Sequence, residues 1–174
     1  GANMGYWTTR AEPLFERVIA VEASARTFDR LRGNASALPG VTLHRAAIHA
    51  LSGQVLTFVN THLSHASARL MGDIPASAQD RTETVTTLAI DDLVPPGTAA
   101  LIKLDVEGAE IAAISGAARA IAEGSVLIYE DHGSDPDCTV SAHLLAQPGL
   151  SVYSSENGLT AMPDIATIRA LKSD

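Results

Sequence analysis

The sequence predicts an α/β fold built on a parallel sheet, and three observations carry that expectation. Short β-branched runs alternate with helical stretches from Val18 onward. The run Ile102-Lys103-Leu104-Asp105-Val106-Glu107-Gly108-Ala109-Glu110 takes an apolar strand into acidic residues, a glycine turn and a helix. The glycine-bearing start Gly1-Ala2-Asn3-Met4-Gly5-Tyr6-Trp7-Thr8 and the strand ending at Glu22 add further strand-to-helix junctions on the same edge. Ligands of open α/β sheets bind at that edge.

The elements follow in order. Val18-Ile19-Ala20-Val21-Glu22 is a short apolar run bounded by charges, suited to a strand buried on both faces. Ser24 is placed to cap a helix carrying Phe28, Leu31 and Ala35 at helical spacing, and Pro39-Gly40 stops it before a strand from Val41 to Ile48. Ser52-Gly53, lying between Ala46-Ala47-Ile48 and Val55 to Val59, reads as a hairpin turn opening an antiparallel excursion. Residues 60 to 81 lose all periodicity and read as a long substrate-side loop. Beyond it come an ordered run Thr84 to Leu88, a short helix at Asp91-Asp92-Leu93, the Pro95-Pro96-Gly97 turn and a strand from Ala100 to Asp105. One continuous helix is expected from Gly108 to Glu123, with Ile111, Ile114 and Ile121 on one stripe and Gly124 ending it. A strand Val126 to Glu130, a polar loop at 131 to 137, a helix over 138 to 147, the run Leu150 to Tyr153, a turn at Asn157-Gly158 and a helix near Ile165 to Leu171 complete one domain spanning residues 1 to 174.

Composition narrows the partners. A net charge of −8, with basic residues scattered singly, disfavours nucleic acid and anionic membrane surfaces, whose recognition needs a basic stripe. A small-molecule partner fits better. The single Cys138 rules out an internal disulfide and cannot make a zinc cluster alone, which leaves the redox compartment undetermined, with a lean to the cytoplasm. No apolar run approaches the roughly 20 residues that span a bilayer.

The residues able to carry chemistry gather at the strand ends. Gly1, Asn3 and Gly5 let a loop approach a ligand closely; a helix-capping turn without a ligand has the same pattern. Glu22 follows about 20 residues later, where a carboxylate accepts both hydroxyls of an adenosine ribose. Asp105 has two roles open to it: facing the reacting end of a cofactor, or capping the next helix. Glu107 and Glu110 belong to that helix's first turn, where negative charge is favourable. Lys103 on a buried strand requires either access to the sheet edge or an acidic neighbour. Glu130 and His132 end the strand expected beside that of Asp105, and His132 titrates near neutrality, as a general base must; an ordinary surface histidine fits the same position. His62 and His65, three apart in an irregular segment, do not form a metal signature, and no metal is expected.

Taken together, Gly1-Ala2-Asn3-x-Gly5, Val18 to Glu22, Asp91-Asp92-Leu93 before a proline turn and the Ile102 to Glu110 run resemble the FkbM-type S-adenosylmethionine-dependent methyltransferases, in order and spacing, from Gly1 to about His132. The resemblance implies a Rossmann-like class I methyltransferase sheet and S-adenosyl-L-methionine as cofactor. It implies Gly1, Asn3 and Gly5 around the methionine portion, Glu22 on the ribose, Ala46 and Ala47 near the adenine and Asp105 near the methyl donor. It further implies methyl transfer to a hydroxyl of a small molecule or saccharide, for which His132, Glu130 and Asp105 are the candidate bases.

The sequence departs from the family pattern at its start, because that pattern places a hydrophobic strand directly before the glycine loop. Burial of several Val, Ile or Leu side chains at about 1.5 to 3 kcal/mol each rivals the 5 to 15 kcal/mol stability of a whole domain. The expectation is therefore a fragment lacking its first central strand. Two other readings stand beside the methyltransferase. A NAD-dependent oxidoreductase would use the same loop and Glu22, although Thr8 stands where its last glycine belongs; a non-catalytic α/β binding module needs no complete pocket.

Overall fold

The computed structural model describes residues 1–60, 68–70, 81–131, 135–155 and 158–172. These form two compact units, residues 1–129 and 130–174.

The first unit opens with the helix α1 (Tyr6–Ala11) and a 3-10 turn at Glu12–Leu14. The strand β1 (Val18–Glu22), the helix α2 (Ala25–Ala35) and the strand β2 (Val41–Arg45) make the expected β-α-β unit, with β1 and β2 parallel. Ser24 caps α2 as its residue type predicts, its hydroxyl accepting from the Thr27 amide at 3.4 Å. The apolar stripe of α2 closes the core here: Leu31 and Ala35 are fully buried with Ala20 of β1, flanked by Phe28, Val41 and Leu43.

The expected strand from Val41 to Ile48 is broken. Ala46 leaves the ladder to donate its amide to the Glu22 carbonyl at 3.1 Å, and a separate strand β3 (Ala47–Ile48) follows. The next strands are β4 (Val55–Asn60), β5 (Ala68–Leu70) and β6 (Arg81–Leu88), in a sheet ordered β3-β6-β4-β5. An antiparallel excursion is present, as β4 runs antiparallel to both β5 and β6. The expected hairpin at Ser52-Gly53 is corrected, however, because β6 lies between the two strands that turn was to join. Thr87 of β6 holds the turn instead: its carbonyl accepts from Gly53, its amide donates to Gln54, and its hydroxyl donates to the Leu51 carbonyl at 2.6 Å. The long loop expected over residues 60 to 81 is interrupted by β5, and β4 and β6 take its first and last residues; most of the rest, including His62 and His65, lies outside the described residues.

Next come the short helix α3 (Ile90–Leu93) and the parallel strands β7 (Leu101–Leu104) and β8 (Val126–Tyr129), separated by α4 (Glu110–Ser115) and α5 (Ala118–Ala122). The continuous helix expected from Gly108 to Glu123 is thus two helices. The break has a packing cause: a Cβ on Gly116 would stand 2.2 Å from the His49 carbonyl oxygen, so only glycine allows that approach. The new N-terminus is then capped from a distance. Asp91 Oδ2 accepts from the Arg119 amide and Oδ1 from the Ala120 amide, each at 2.9 Å. Arg119 returns the contact, donating to the carbonyls of Asp91 and Val94 at 2.6 and 2.5 Å.

The parallel ladders β1–β2 and β7–β8 are separate sheets rather than neighbours in one. Ile102 and Leu104 are buried on one face of β7, while Leu101 of β7 and Val126 and Ile128 of β8 are exposed.

The second unit holds α6 (Thr139–Leu145), the antiparallel pair β9 (Val152–Ser154) and β10 (Thr160–Met162), and α7 (Ile165–Lys172). Its acidic residues fix local turns. Asp131 pairs with Lys172 at 3.3 Å and accepts from the Ser141 hydroxyl, and Asp135 accepts from the amides of Asp137 and Thr139 at 2.9 and 2.7 Å.

Candidate functional site

Four of the residues singled out from sequence meet around the end of β1. The chain start passes across it, with the Gly1 nitrogen and the Ala2 amide donating to the Val21 carbonyl at 3.0 and 2.9 Å. Asn3 then turns in the left-handed region, φ 50°, which an asparagine tolerates, and its side-chain oxygen accepts from the Met4 amide at 2.7 Å. That turn aims the Asn3 amide at Glu22.

Glu22 is the centre of the arrangement. It is 8% exposed, and its two oxygens are anchored separately: Oε2 accepts from the Asn3 amide and Oε1 from the Ser24 amide, each at 2.9 Å. A carboxylate offers about four acceptor positions. The two amides leave acceptor capacity on both oxygens, directed by a turn the backbone has already fixed.

The two glycines of the loop act by absence of a side chain. A Cβ on Gly1 would lie 1.8 Å from the Asp105 carbonyl oxygen, so this backbone passes directly against the end of β7. Gly5 has φ 93°, and its Cβ would stand 2.9 Å from Leu31 Cδ1. Its smallness therefore serves the packing of the turn on α2.

Asp105 follows β7 and pairs with Lys103, Oδ2 to Nζ at 3.0 Å, both side chains being about a third exposed. This answers the question of the lysine: it has its acidic neighbour two residues on. Asp105 does not cap α4, whose N-cap is Ala109 without a side-chain bond. Glu110, 2% exposed, instead holds the turn that precedes the helix, accepting from the Val106 amide at 3.0 Å and the Gly108 amide at 2.9 Å. Glu107, expected in the first helical turn, instead precedes the helix with φ 53°.

Ala46 and Ala47 are buried. Ala46 is tied to Glu22 through the latter's carbonyl, and Ala47 packs with Val85 and Ala23. Glu130 is the first residue of the second unit, directly after β8, and His132 lies outside the described residues.

Sequence reasoning missed Glu83 and Arg45. Glu83 of β6 accepts from the Ala25 amide at the start of α2, through Oε1 at 3.1 Å and Oε2 at 3.3 Å, and Arg45 Nη2 stands 2.7 Å from the same Oε2. A glutamate alternating with threonines on a strand looks like any solvent-facing position, and no local signal marks it.

Among the described residues, no group of His, Cys, Asp and Glu is arranged to hold a metal ion, and no helix is long and apolar enough to cross a membrane.

Comparison with known proteins gives this geometry its context. The crystal structure of methyltransferase FkbM from Methylobacillus flagellatus KT is similar in fold, with a TM-score of 0.51 at 20% identity over 75% of this chain. The match covers 31% of that longer chain, so this chain spans about a third of its length. No curated protein matches the sequence. The family model of the methyltransferase FkbM domain matches residues 1–146. With most of its length, including the Gly1 to Gly5 loop, Glu22 and Asp105, inside that match, the chain belongs to the FkbM methyltransferase-domain family.

Proposed function

We propose that this domain binds S-adenosyl-L-methionine and transfers its methyl group to a hydroxyl of a small molecule or saccharide. The observation that carries the reading is the Glu22 carboxylate, held by one backbone amide on each oxygen and retaining acceptor capacity on both. That pair of acceptors suits a vicinal diol such as a ribose, whose two hydroxyls each need an acceptor. The passage of Gly1 against Asp105 supports the reading further, since it brings the loop expected at the methionine portion to the strand end expected at the methyl donor. Asn3 and Gly5 complete that loop, and Ala46 and Ala47 are assigned to the adenine side. The fold reading that accompanies it is a Rossmann-like methyltransferase sheet in a cytoplasmic protein.

When bound, the cofactor supplies an electrophilic sulfonium methyl group. The chain's own residues have two tasks. Glu22 fixes the nucleoside, and orientation of reactants held in this way can supply about 7 to 11 kcal/mol of the barrier. A base must also take the hydroxyl proton. Asp105, paired with Lys103, is assigned to orient the hydroxyl, and His132 is the first candidate to remove its proton, with Glu130 the next.

Methyl-labelled cofactor offered with a panel of hydroxylated small molecules and saccharides tests the reaction. Label retained through mild alkali marks an ether and supports hydroxyl transfer. Release of the label as methanol marks an ester and contradicts it.

A further inference from the structure

We propose that Glu83 guards the Glu22 carboxylate from Arg45 and so sets the cofactor affinity of the site, an inference that rests on Glu22 being the ribose ligand. Glu22 and Arg45 are in-register partners in the β1–β2 ladder. In-register partners leave their strands on the same face, with Cβ atoms about 5 Å apart. A guanidinium so placed closes on a carboxylate with paired hydrogen bonds, and would consume the acceptor positions that a diol needs.

Arg45 does not do so. Its Nη2 lies 2.7 Å from Oε2 of Glu83, on a different strand. Glu83 is itself fixed in place, because the Ala25 amide donates to both of its oxygens. The exposures fit the division of labour: the Arg45 side chain is 45% exposed and able to swing, whereas that of Glu83 is 20% exposed. Glu22 is bonded by the amides of Asn3 and Ser24, and these leave its outer lone pairs open. Glu83 is thus a positioning residue acting through Arg45.

The design predicts an unusual pattern across variants. Glu83→Ala releases Arg45 onto Glu22 and weakens S-adenosylhomocysteine binding, measured calorimetrically on the full chain, on the order of tenfold. Arg45→Ala leaves the affinity near that of the unaltered protein. The double variant, which has neither the guard nor the intruder, recovers to within about twofold. Were Glu83 only a brace for the Ala25 amide, the double variant would bind no better than Glu83→Ala, and that result overturns the proposal. Glu83→Gln, which keeps an acceptor for Ala25 while losing the charge that holds Arg45, serves if the alanine variant does not fold, and the same rescue by Arg45→Ala is expected.

A crystal structure of the Glu83 variant reads the same event without cofactor. Arg45 bonded to Glu22 supports the proposal, and Arg45 directed elsewhere refutes it. If the unaltered protein binds no S-adenosylhomocysteine, the ribose assignment fails, and the position of Arg45 in that crystal still decides whether Glu83 restrains it.

Discussion

The proposed function asks different things of Glu22 and His132, and their replacement should separate binding from turnover. In the proposed function Glu22 offers charged acceptors to the nucleoside, so Glu22→Ala would remove hydrogen bonds to a charged group, worth about 1.5 to 3 kcal/mol of cofactor affinity. Calorimetry with S-adenosylhomocysteine should show that loss, and unchanged affinity would remove Glu22 from the ribose. His132→Ala should lower turnover while sparing cofactor affinity, and an equal turnover would eliminate it as the base. At this scale the sequence was informative where function and backbone chemistry coincide. Ser24 caps α2 and Glu22 ends β1 as their residue types and positions imply. It was silent where a role depends on a distant partner: Asp91 stood out as part of an acidic motif, but its capping of α5 lies 28 residues away.

Among the elements, the split between α4 and α5 makes the sharpest structural prediction. Gly116 rests against the His49 carbonyl and the Ala50 Cα, with no room for a Cβ. Gly116→Ala should therefore cost about 1 to 3 kcal/mol, the usual penalty for overpacking, read from the urea unfolding midpoint. An unchanged midpoint would mean the contact is not required. This break was invisible in the sequence because the apolar stripe of Ile111, Ile114 and Ile121 continues through it, and the obstruction comes from a carbonyl far away in the chain. The insertion of β6 between β3 and β4 was hidden for the same reason, since strand order depends on long-range pairing that local alternation does not encode.

The turns of the second unit carry a pH dependence. The Asp135 carboxyl is held below its ordinary value of 3.8, first by the Thr139 amide and then by the Thr139 side chain; Asp164 is held below it by the amide and side chain of Thr167. A carboxyl with a lowered folded pKa stabilises the fold fully above its unfolded pKa, and loses that contribution as pH falls through the folded value. Acid unfolding should therefore steepen below the ordinary value of 3.8, and Asp135→Asn should flatten that limb of the profile. Identical acid limbs in the two proteins would contradict the assignment.

At the scale of the molecule, a loop, a strand end and a buried carboxylate meet because the last residues of β1 and the residue that follows β7 both lie on the path of Gly1 to Asn3. Glycines, an acidic strand end and a second acidic strand end were all legible as residues, since each is a local pattern. Their convergence depends on tertiary contacts, and the Arg45–Glu83 pair beside them on three strands folding together. Titration of the protein with S-adenosylhomocysteine and, separately, with NAD therefore tests the central claim most directly. Saturable binding of S-adenosylhomocysteine alone is the predicted result; binding of NAD alone, or of neither, would contradict it.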